Sequence, residues 1–373
     1  MTVELYTSAN LVDLRWPDTE NGRYARDYLT PLITQGPDRF VDNIRTTYGA
    51  LFVDDSVILP VSWNTTDYDN SYVCSPYTHY VTYAKEELRL LKNRALRSTL
   101  STALSSLGLL CRFCSVNKVV LVNNWLLSTN LYPALSAGQV AAVTAFLRSH
   151  FPHHAIGFCS VNNTLIQACV AAGCLLVPGR QIALARPCDH AGKLRRRWRR
   201  DLLLVDRRGY RIGEPGPAEV PRLVELYNNL YLDKYSSNNP QFNEHFVRET
   251  LARGTITYIT LTRDDRIDGV LGYFVRDGVM TTPIFGYDTA LPQQTGLYRM
   301  LGGILYDLAA QKGWLLNDSS GAAEFKRLRG AVPELEYRAV HVRHLRWRQR
   351  FGWVTLCFLF SKIAVPLARR YEL

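Results

Sequence analysis

The sequence predicts an α/β protein that consists of two similar halves. In the second half an amphipathic helix at 297–311 is followed by an apolar strand at 314–316, a polar turn, and a short helix that ends at Gly330. The first half shows the same order, from a helix at 136–150 to a short helix that ends at Gly173. Two supersecondary units in the same order and spacing indicate an internal duplication, although their sequence identity is low.

The first half predicts a sheet with helices packed against it. Apolar runs separated by turn residues are typical of strands, and leucines near one face indicate a helix at 84–107. Residues 63–83 hold five tyrosines and one tryptophan, which suits either a binding surface or a sheet edge. The predicted strands of this half are 47–53, 56–61, 116–122, 155–161 and 182–185.

The second half begins after the best candidate for a domain boundary. Residues 193–217 are first basic and then rich in Gly and Pro, which is typical of a linker. We therefore predict an N-terminal domain at 1–192 and a C-terminal domain at 218–373. Two helices open the second domain, followed by three antiparallel strands at 255–263, 268–276 and 280–286.

The polar turn of the second half and the helix after it carry clear end signals. Any residue of 317–320 can cap the helix predicted at 322–328. Gly330 then provides a C-terminal signal. Residues 335–342 alternate between apolar and polar, which predicts a half-exposed strand.

The positive charge of the chain is concentrated in two segments. The 373 residues carry a formal net charge of +11, and 47% of them are hydrophobic, as in a globular protein with full cores. Nine basic residues face two acidic ones at 193–211, and seven face one at 341–373. Such local excess suggests a polyanion or an anionic membrane surface as partner. For residues 193–200, a solubilising linker is the plain alternative.

The eight cysteines are interpreted as reduced core residues of a cytosolic protein, because most lie in apolar or strand-like runs. Cys111 and Cys114 form an isolated C-x-x-C pair without a second pair or nearby His, so no metal site is predicted. The N-terminus lacks the basic start and apolar run of a signal peptide. A cytoplasmic location follows, with membrane association as an open possibility.

Phe325-Lys326, followed by Arg329-Gly330-Ala331, resembles the Phe-Lys…Gly signature of the FemABX-like transferases. These enzymes carry two tandem GNAT-fold domains and move an aminoacyl group from charged tRNA to an amine. The resemblance implies two tandem GNAT-like α/β domains, each a mixed, mostly antiparallel sheet flanked by helices. It also places Phe325 and Lys326 at the acyl-transfer site. The plain alternative is a core phenylalanine beside a solvated lysine.

The expected CoA signature of a GNAT domain is incomplete. GNAT enzymes hold the CoA diphosphate on backbone N–H groups at a helix start, with the pattern Q/R-x-x-G-x-G/A. Gln293 and Gly296 fit this pattern, but Tyr298 stands where a small residue is expected. The corresponding residues 136–139 of the first domain fit no better. Acetyl-CoA is thus disfavoured, no cofactor is predicted, and aminoacyl-tRNA is the expected donor substrate.

The resemblance suggests roles for several polar and aromatic residues. Lys326 would stabilise negative charge on the donor ester, and Asp318 or Glu324 would accept a proton from the amine. Both carboxylates can equally be helix-capping residues. By fold analogy, two further groups would bind substrate: Tyr287, Asp288 and Tyr298 in the cleft, and Asp233, Lys234, Tyr235 and Asn239 in the acceptor loop.

The basic linker is the predicted tRNA-binding segment. Its arginines would contact phosphates and its tryptophan would provide a stacking surface, so that binding weakens with salt. The residues concerned are Arg195, Arg196, Arg197, Trp198, Arg199 and Arg200.

The C-terminal tail combines arginines with an apolar run at 351–368 that contains Lys362 and Pro366. The run is marginal for a membrane-spanning helix. A final helix packed on the second domain is preferred, and an in-plane membrane helix within 343–370 is the alternative.

The leading function is transfer of an aminoacyl group from aminoacyl-tRNA to an amine or hydroxylamine, on a small molecule or a peptidoglycan-type acceptor. One rival is an N-acyltransferase that uses acyl-CoA or an acyl carrier protein. A second rival is a non-catalytic GNAT-like module that binds RNA or a membrane. The amino acid, the acceptor and the oligomeric state stay open.

Overall fold

A computed structural model describes residues 1–91 and 93–366. The chain forms two compact units. The first unit consists of residues 1–180 and 238–240 together with the described residues from Leu335 onwards. The second unit consists of Gln181–Ser237 and Gln241–Glu334.

The first part of the chain alternates strands with helices. Three of its helices are capped by side chains that accept a hydrogen bond from the first turn, including Ser136, which forms a capping box with Gln139. In chain order the elements are β1 (Val3–Tyr6), α1 (Glu20–Gln35), β2 (Thr47–Val53), β3 (Val57–Asn64), α2 (Ala84–Glu87), α3 (Arg94–Phe113), β4 (Val119–Val122), α4 (Ala137–His150), β5 (Ala155–Val161), α5 (Ile166–Ala171) and β6 (Leu175–Ala185).

The remaining part of the chain contains three consecutive strands between helices, and a π-helical turn, Asn229–Tyr235, continues the helix α8. In chain order they are α6 (Gly192–Leu202), α7 (Leu204–Arg207), β7 (Arg211–Gly213), α8 (Val220–Asn228), α9 (Glu244–Ala252), β8 (Thr257–Arg263), β9 (Arg266–Arg276), β10 (Val279–Tyr287), α10 (Leu297–Lys312), β11 (Leu315–Asn317), α11 (Ala323–Arg327), β12 (Val332–His341) and α12 (Trp347–Leu359).

The sheet of the first unit is mixed and mostly antiparallel. β1, β2, β3 and β4 pair in sequence order as antiparallel neighbours, β5 is parallel to β4, and β12 is antiparallel to β5. Alternate residues of β4 enter two different apolar clusters, so both faces of the sheet are covered. Asp54 and Asp55 both have positive φ and form the predicted turn between β2 and β3.

The second unit repeats this arrangement. β7, β8, β9 and β10 are antiparallel neighbours, and β11 is parallel to β10 after the connection through α10. Leu271, Met280, Leu301 and Leu316 lie in its core cluster. The predicted α/β fold with mixed, mostly antiparallel sheets is therefore confirmed for each unit.

Two predicted segments have a different structure from the one expected. Much of the predicted linker is the helix α6, because Trp198 and Asp201 are buried within the second unit. Residues 335–342 are not half-exposed: Glu336, Arg338 and His341 are all buried. Alternation of apolar and polar residues therefore does not by itself show exposure: the Glu336 carboxylate, for example, is buried in an ion pair with Arg180.

The C-terminal helix α12 belongs to the first unit, which corrects the prediction that it packs on the second domain. Trp353 and Leu356 lie in the same cluster as Cys111 and Cys114. A Cβ at Gly352 would lie 2.5 Å from the Cβ of Cys114, so the helix backbone is in close contact with that cluster. None of the described helices is long and apolar enough to cross a membrane. Arg369 and Arg370 lie outside the described residues.

Candidate active site

The short helix α11 of the second unit ends just before Gly330, as the sequence predicted. Gly330 has φ of +88°, a left-handed conformation that favours glycine. The Gly330 N–H donates to the carbonyl of Arg327, and the next N–H donates to the carbonyl of Lys326. A Cβ at Gly330 would lie 2.8 Å from the ring of His190, so a larger residue would also clash.

Lys326 is buried, with only 4% of its surface exposed. Its ammonium group donates to the carbonyl oxygens of Asp318 and Ser320, the latter at 2.9 Å. The Oδ1 atom of Asp318 lies 3.7 Å from the same nitrogen. Lys326 therefore holds the polar turn after β11 in place and is a positioning residue. A direct contact between Lys326 and a donor ester stays a prediction.

Asp318 is the titratable group whose carboxylate lies next to the Lys326 ammonium. Burial raises the pKa of its carboxyl group above the ordinary value, while the Lys326 and Arg329 cations oppose that rise. The raised pKa shows that burial outweighs the two cations. A carboxylate with a raised pKa is a better proton acceptor than an exposed aspartate.

Four aromatic rings pack near Asp318 and Lys326. We call them the aromatic cluster: Phe285, Tyr287, Tyr298 and Phe325. Tyr298 is central, with ring centroids 4.7 Å from Phe325, 5.3 Å from Phe285 and 6.3 Å from Tyr287. Burial and the nearby Asp318 carboxylate raise the pKa of Tyr298 well above its ordinary value, so its phenol is neutral. The predicted residues Tyr287, Tyr298 and Phe325 are thus brought together.

The predicted acceptor loop is divided between the two units. The Lys234 ammonium donates to the hydroxyl of Tyr287 at 3.2 Å, so Lys234 lies at the edge of the aromatic cluster. Tyr235 and Asp233 are exposed on the same π-helical turn. Asn239 instead belongs to the first unit, where its carbonyl accepts a hydrogen bond from Asn43. The prediction that Asn239 binds substrate with the other three residues receives no support from its position.

Asp288 has a structural role that the sequence did not reveal. It is buried, and its carboxylate pairs with Arg222 at 2.8 Å and with Arg266. Burial alone would raise the pKa of Asp288, but hydrogen bonds from Arg222 and from the N–H of Ala290 outweigh it and lower the pKa. These bonds connect α8 to the ends of β9 and β10, so Asp288 fixes the sheet instead of facing a substrate.

The helix α6 has a buried face and a basic face. Trp198 is 1% exposed and packs in the core of the second unit, which excludes the predicted stacking on RNA. Arg197 is half-buried and donates to the carbonyl of Leu328. The remaining predicted arginines, Arg195, Arg196, Arg199 and Arg200, are exposed on the opposite face.

A buried ionic clamp, missed at the sequence level, connects α6 to α11. The carboxylate of Asp201 accepts hydrogen bonds from Arg329 and, at 2.7 Å, from the Nε of Arg299. The Arg329 guanidinium lies over the Phe325 ring, 3.2 Å from its centroid, and donates to the Phe325 carbonyl. The contact between Phe325 and Arg329 could have been predicted from the sequence, because residues four apart share a helix face.

No group of three His, Cys, Asp or Glu side chains within residues 1–91 and 93–366 is placed to hold a metal ion.

Residues 190–327 match a family described as Acetyltransferase (GNAT) domain. The chain is similar to FemX, with 9% sequence identity, 95% of this chain and 100% of that chain covered, and a TM-score of 0.51. The chain has a FemX-like tandem GNAT fold.

Two further solved structures match the chain. A conserved protein of unknown function from Bacteroides thetaiotaomicron shows 11% identity over 90% of this chain and 97% of that chain, with a TM-score of 0.51. L-PGS from Bacillus licheniformis shows 14% identity over 59% of this chain and 77% of that chain, with a TM-score of 0.45. No curated protein sequence matches the chain.

Within the GNAT domain, α10 is the helix that would meet a CoA diphosphate. It starts at Gly296, which has φ of +83° and offers no side-chain cap. Tyr298 occupies the first turn and is held there by the aromatic cluster. On the other side, a Cβ at Gly296 would lie 3.4 Å from the side chain of Leu204, and Arg208 donates to the carbonyl of Gln294. The start of α10 is thus crowded by protein groups.

Proposed function

We propose that the protein is an aminoacyltransferase that moves an aminoacyl group from aminoacyl-tRNA to an amine or hydroxylamine acceptor. The observation that carries the proposal is the position of Tyr298. Its ring lies on the first turn of α10 and packs against Phe325, where a CoA diphosphate would otherwise approach the backbone N–H groups. The FemX-like fold supports the same donor class.

Acyl transfer at this site needs one proton to move twice. The neutral amine attacks the ester carbonyl, a C–N bond forms, and the C–O bond to the tRNA ribose breaks. Asp318, whose pKa is raised by burial, accepts the proton from the amine and returns it to the departing ribose oxygen. The reaction is therefore balanced without a further reactant.

The residues around Asp318 keep this carboxylate in position. Lys326 fixes the turn through the carbonyls of Asp318 and Ser320. Tyr298, which lies near Asp318, packs on the Phe325 ring, and the two rings form an apolar wall on this side of the site. An apolar wall limits the access of water, which would otherwise hydrolyse the aminoacyl ester.

The exposed arginines of α6 would bind the tRNA. Arg195, Arg196, Arg199 and Arg200 recur on one face of the helix, while Trp198 and Asp201 anchor the other face in the second unit. A row of guanidinium groups on a rigid helix is suited to a phosphate backbone.

The donor can be tested directly. The full chain is incubated with a panel of primary amines and hydroxylamines, together with either aminoacylated tRNA or acetyl-CoA. We expect acceptor-dependent deacylation of the tRNA that is lost after RNase treatment, and no release of CoA. Acceptor-dependent CoA release that resists RNase would contradict the proposal and support the acyl-CoA rival.

Tyr298 variants sharpen the assay. Tyr298→Phe retains the ring and should keep transfer from tRNA. Tyr298→Gly removes the obstacle at α10 and should reduce transfer from tRNA, because Phe325 loses its packing partner. If Tyr298→Gly left transfer unchanged, the aromatic cluster would have no part in donor binding.

We also propose contact with an anionic membrane surface through α12. Trp347, which is 75% exposed, lies on one helix face with Phe351, Val354 and Phe358, while Trp353 on the opposite face is buried. Arginines at 343, 346, 348 and 350 precede or flank this apolar face. Exposed aromatic rings beside basic residues are typical of helices that lie in the membrane interface.

Sedimentation with vesicles tests this second proposal. Binding to vesicles of phosphatidylcholine with phosphatidylglycerol should exceed binding to phosphatidylcholine alone, and a Trp347→Ser, Phe358→Ser double variant should lose it. Val12→Ser, at an equally exposed apolar residue of the first unit, is the control and should bind normally. Equal sedimentation of the double variant and the wild type would rule out α12.

A further inference from the structure

The first unit buries a group of charged side chains that the proposed reaction does not use. The Nε of Arg180 pairs with the carboxylate of Glu336 at 2.8 Å. The Nη2 of the same guanidinium donates to the hydroxyl of Thr129 at 2.8 Å. Both members of this pair are largely buried. The charge of Glu336 is therefore compensated by Arg180.

Arg338 is the second buried guanidinium of this group and is 8% exposed. It lies two residues after Glu336 on β12, so both side chains project from the same face of the strand. Its Nε and Nη1 atoms are buried without a hydrogen-bond partner, and within the described part of the chain it forms no salt bridge. Burying an unpaired cation is costly, so this position calls for a negative partner.

The groups around Arg338 do not supply that negative charge. Tyr80 lies beneath the guanidinium, with its ring centroid 5.6 Å from Cζ. Burial raises the pKa of Tyr80 to about 12 and that of Cys159 to about 11, so both are neutral at physiological pH. Burial, together with the Arg338 and Arg180 cations, lowers the pKa of His79 well below its ordinary value. His79 is thus neutral as well.

Aromatic rings continue from this position into the half-buried part of the unit. The Tyr72 ring lies 5.6 Å from His79 and 5.3 Å from Tyr83, and all three are only partly buried. These rings come from the tyrosine-rich stretch 63–83, which the second unit does not contain. A ligand whose negatively charged group lies at Arg338 can therefore extend along these rings.

We propose that Arg338 binds a small oxyanionic group, a carboxylate or a phosphate, in the first unit, with Tyr72 and His79 in contact with the rest of the ligand. This site is distinct from the Asp318–Lys326 pair and does not depend on the proposed reaction. One guanidinium with free donors and no protein counter-charge fits one such group.

Thermal unfolding of the full chain tests the proposal. Potassium phosphate and potassium acetate are titrated against potassium chloride at constant ionic strength. We expect one of the two anions to raise the Tm by a few degrees at about 100-fold above its Kd, and the rise should grow with the logarithm of the anion concentration. A response to phosphate alone identifies a phosphate site, and a response to acetate alone identifies a carboxylate site.

Two substitutions separate binding from general charge effects. Arg338→Gln should abolish the rise in Tm caused by that anion, while Arg343→Gln, which removes the same charge from an exposed position, should retain it. If neither anion stabilised the wild type, or if Arg338→Gln responded as the wild type does, the proposal would be overturned.

A measurement on the wild type avoids dependence on folding of the variant. The Nε–H resonances of arginine side chains are followed by NMR during the same titrations. One buried resonance should shift with the anion that raises the Tm. Arg338→Met should have the same or a higher Tm without added anion, because it removes an uncompensated buried charge. A large loss of Tm in that variant would assign Arg338 a structural role and contradict the site.

Discussion

The ends of α5 in the first unit and α11 in the second unit have the same backbone structure. Gly173 and Gly330 both have positive φ, at +80° and +88°. In each case the glycine N–H bonds to the carbonyl three residues earlier, and the next N–H bonds to the carbonyl five residues before it. This shared pattern makes the residues before the two glycines directly comparable.

The side chains at these equivalent positions differ in kind. Lys326 of the second unit corresponds to Cys169 of the first, which is a buried member of an apolar cluster. Phe325 corresponds to Ala168, which packs against the same cluster. The helix end is therefore a property of the fold, while the charged and aromatic groups that we assign to acyl transfer occur in the second unit.

The starts of the preceding helices differ in a related way. α4 begins with the capping box of Ser136 and Gln139, which uses side chains to satisfy the first-turn N–H groups. α10 begins at Gly296 without a side-chain cap and carries Tyr298 on its first turn. Side chains thus satisfy first-turn donors of α4, whereas the start of α10 has no such cap and is crowded by Tyr298, Leu204 and Arg208.

The largest expected effect comes from the ionic clamp that distinguishes the second helix end from the first. Asp201→Ala should lower the free energy of unfolding by about 3–5 kcal/mol, because it leaves Arg329 buried without its partner. Urea denaturation measures the loss. Asp206→Ala, at an exposed position on the next helix, should change stability by less than about 0.5 kcal/mol. Equal losses in both variants would show that the clamp does not hold α11.

The next effect concerns activity. Lys326→Met should reduce the rate of aminoacyl transfer about 100-fold, because the turn that carries Asp318 loses its support. Lys312→Met, at an exposed lysine of α10, should stay within about twofold of the wild type, as should Cys169→Ala at the equivalent position of the first unit. A Cys169→Ala rate as low as that of Lys326→Met would show that the two helix ends share the chemistry.

A smaller effect should appear in the pH dependence of transfer. Asp318 must be deprotonated to accept a proton, so the rate should rise with pH through its raised pKa. Lys326 opposes that rise in pKa, so in Lys326→Met the rising limb of the residual activity should move to higher pH. Lys326→Arg should move it less. A limb that moved to lower pH in Lys326→Met would contradict the role of Asp318.

The smallest effect concerns the basic face of α6. Replacing Arg195 or Arg199 by Gln should weaken tRNA binding and reduce the slope of log K against log salt by about 1 for each phosphate that the variant no longer binds. Arg253→Gln, directly after α9, is the control because Arg253 pairs with Glu249. An unchanged slope in both α6 variants would place the tRNA elsewhere.

The secondary structure and its repetition could be predicted from the amino-acid sequence alone, because those signals act over a few residues. The hairpin at Asp54-Asp55, the strands β8 to β10 and the glycine after each short helix all follow from local conformational preferences. The Phe325-Lys326 motif also led to the FemX-like fold, and in the structure Tyr298 packs with both Phe325 and Tyr287.

The burial of charged residues and the identity of their partners became known from the folded chain. Asp201 and Arg329 are 128 residues apart in sequence, and Arg180 and Glu336 are 156 apart. Trp198 lies in a run of arginines and was expected to be exposed, but it is buried because one face of α6 packs in the core. Ion pairs and burial depend on groups that meet across the fold, and local sequence patterns hold no information about such partners.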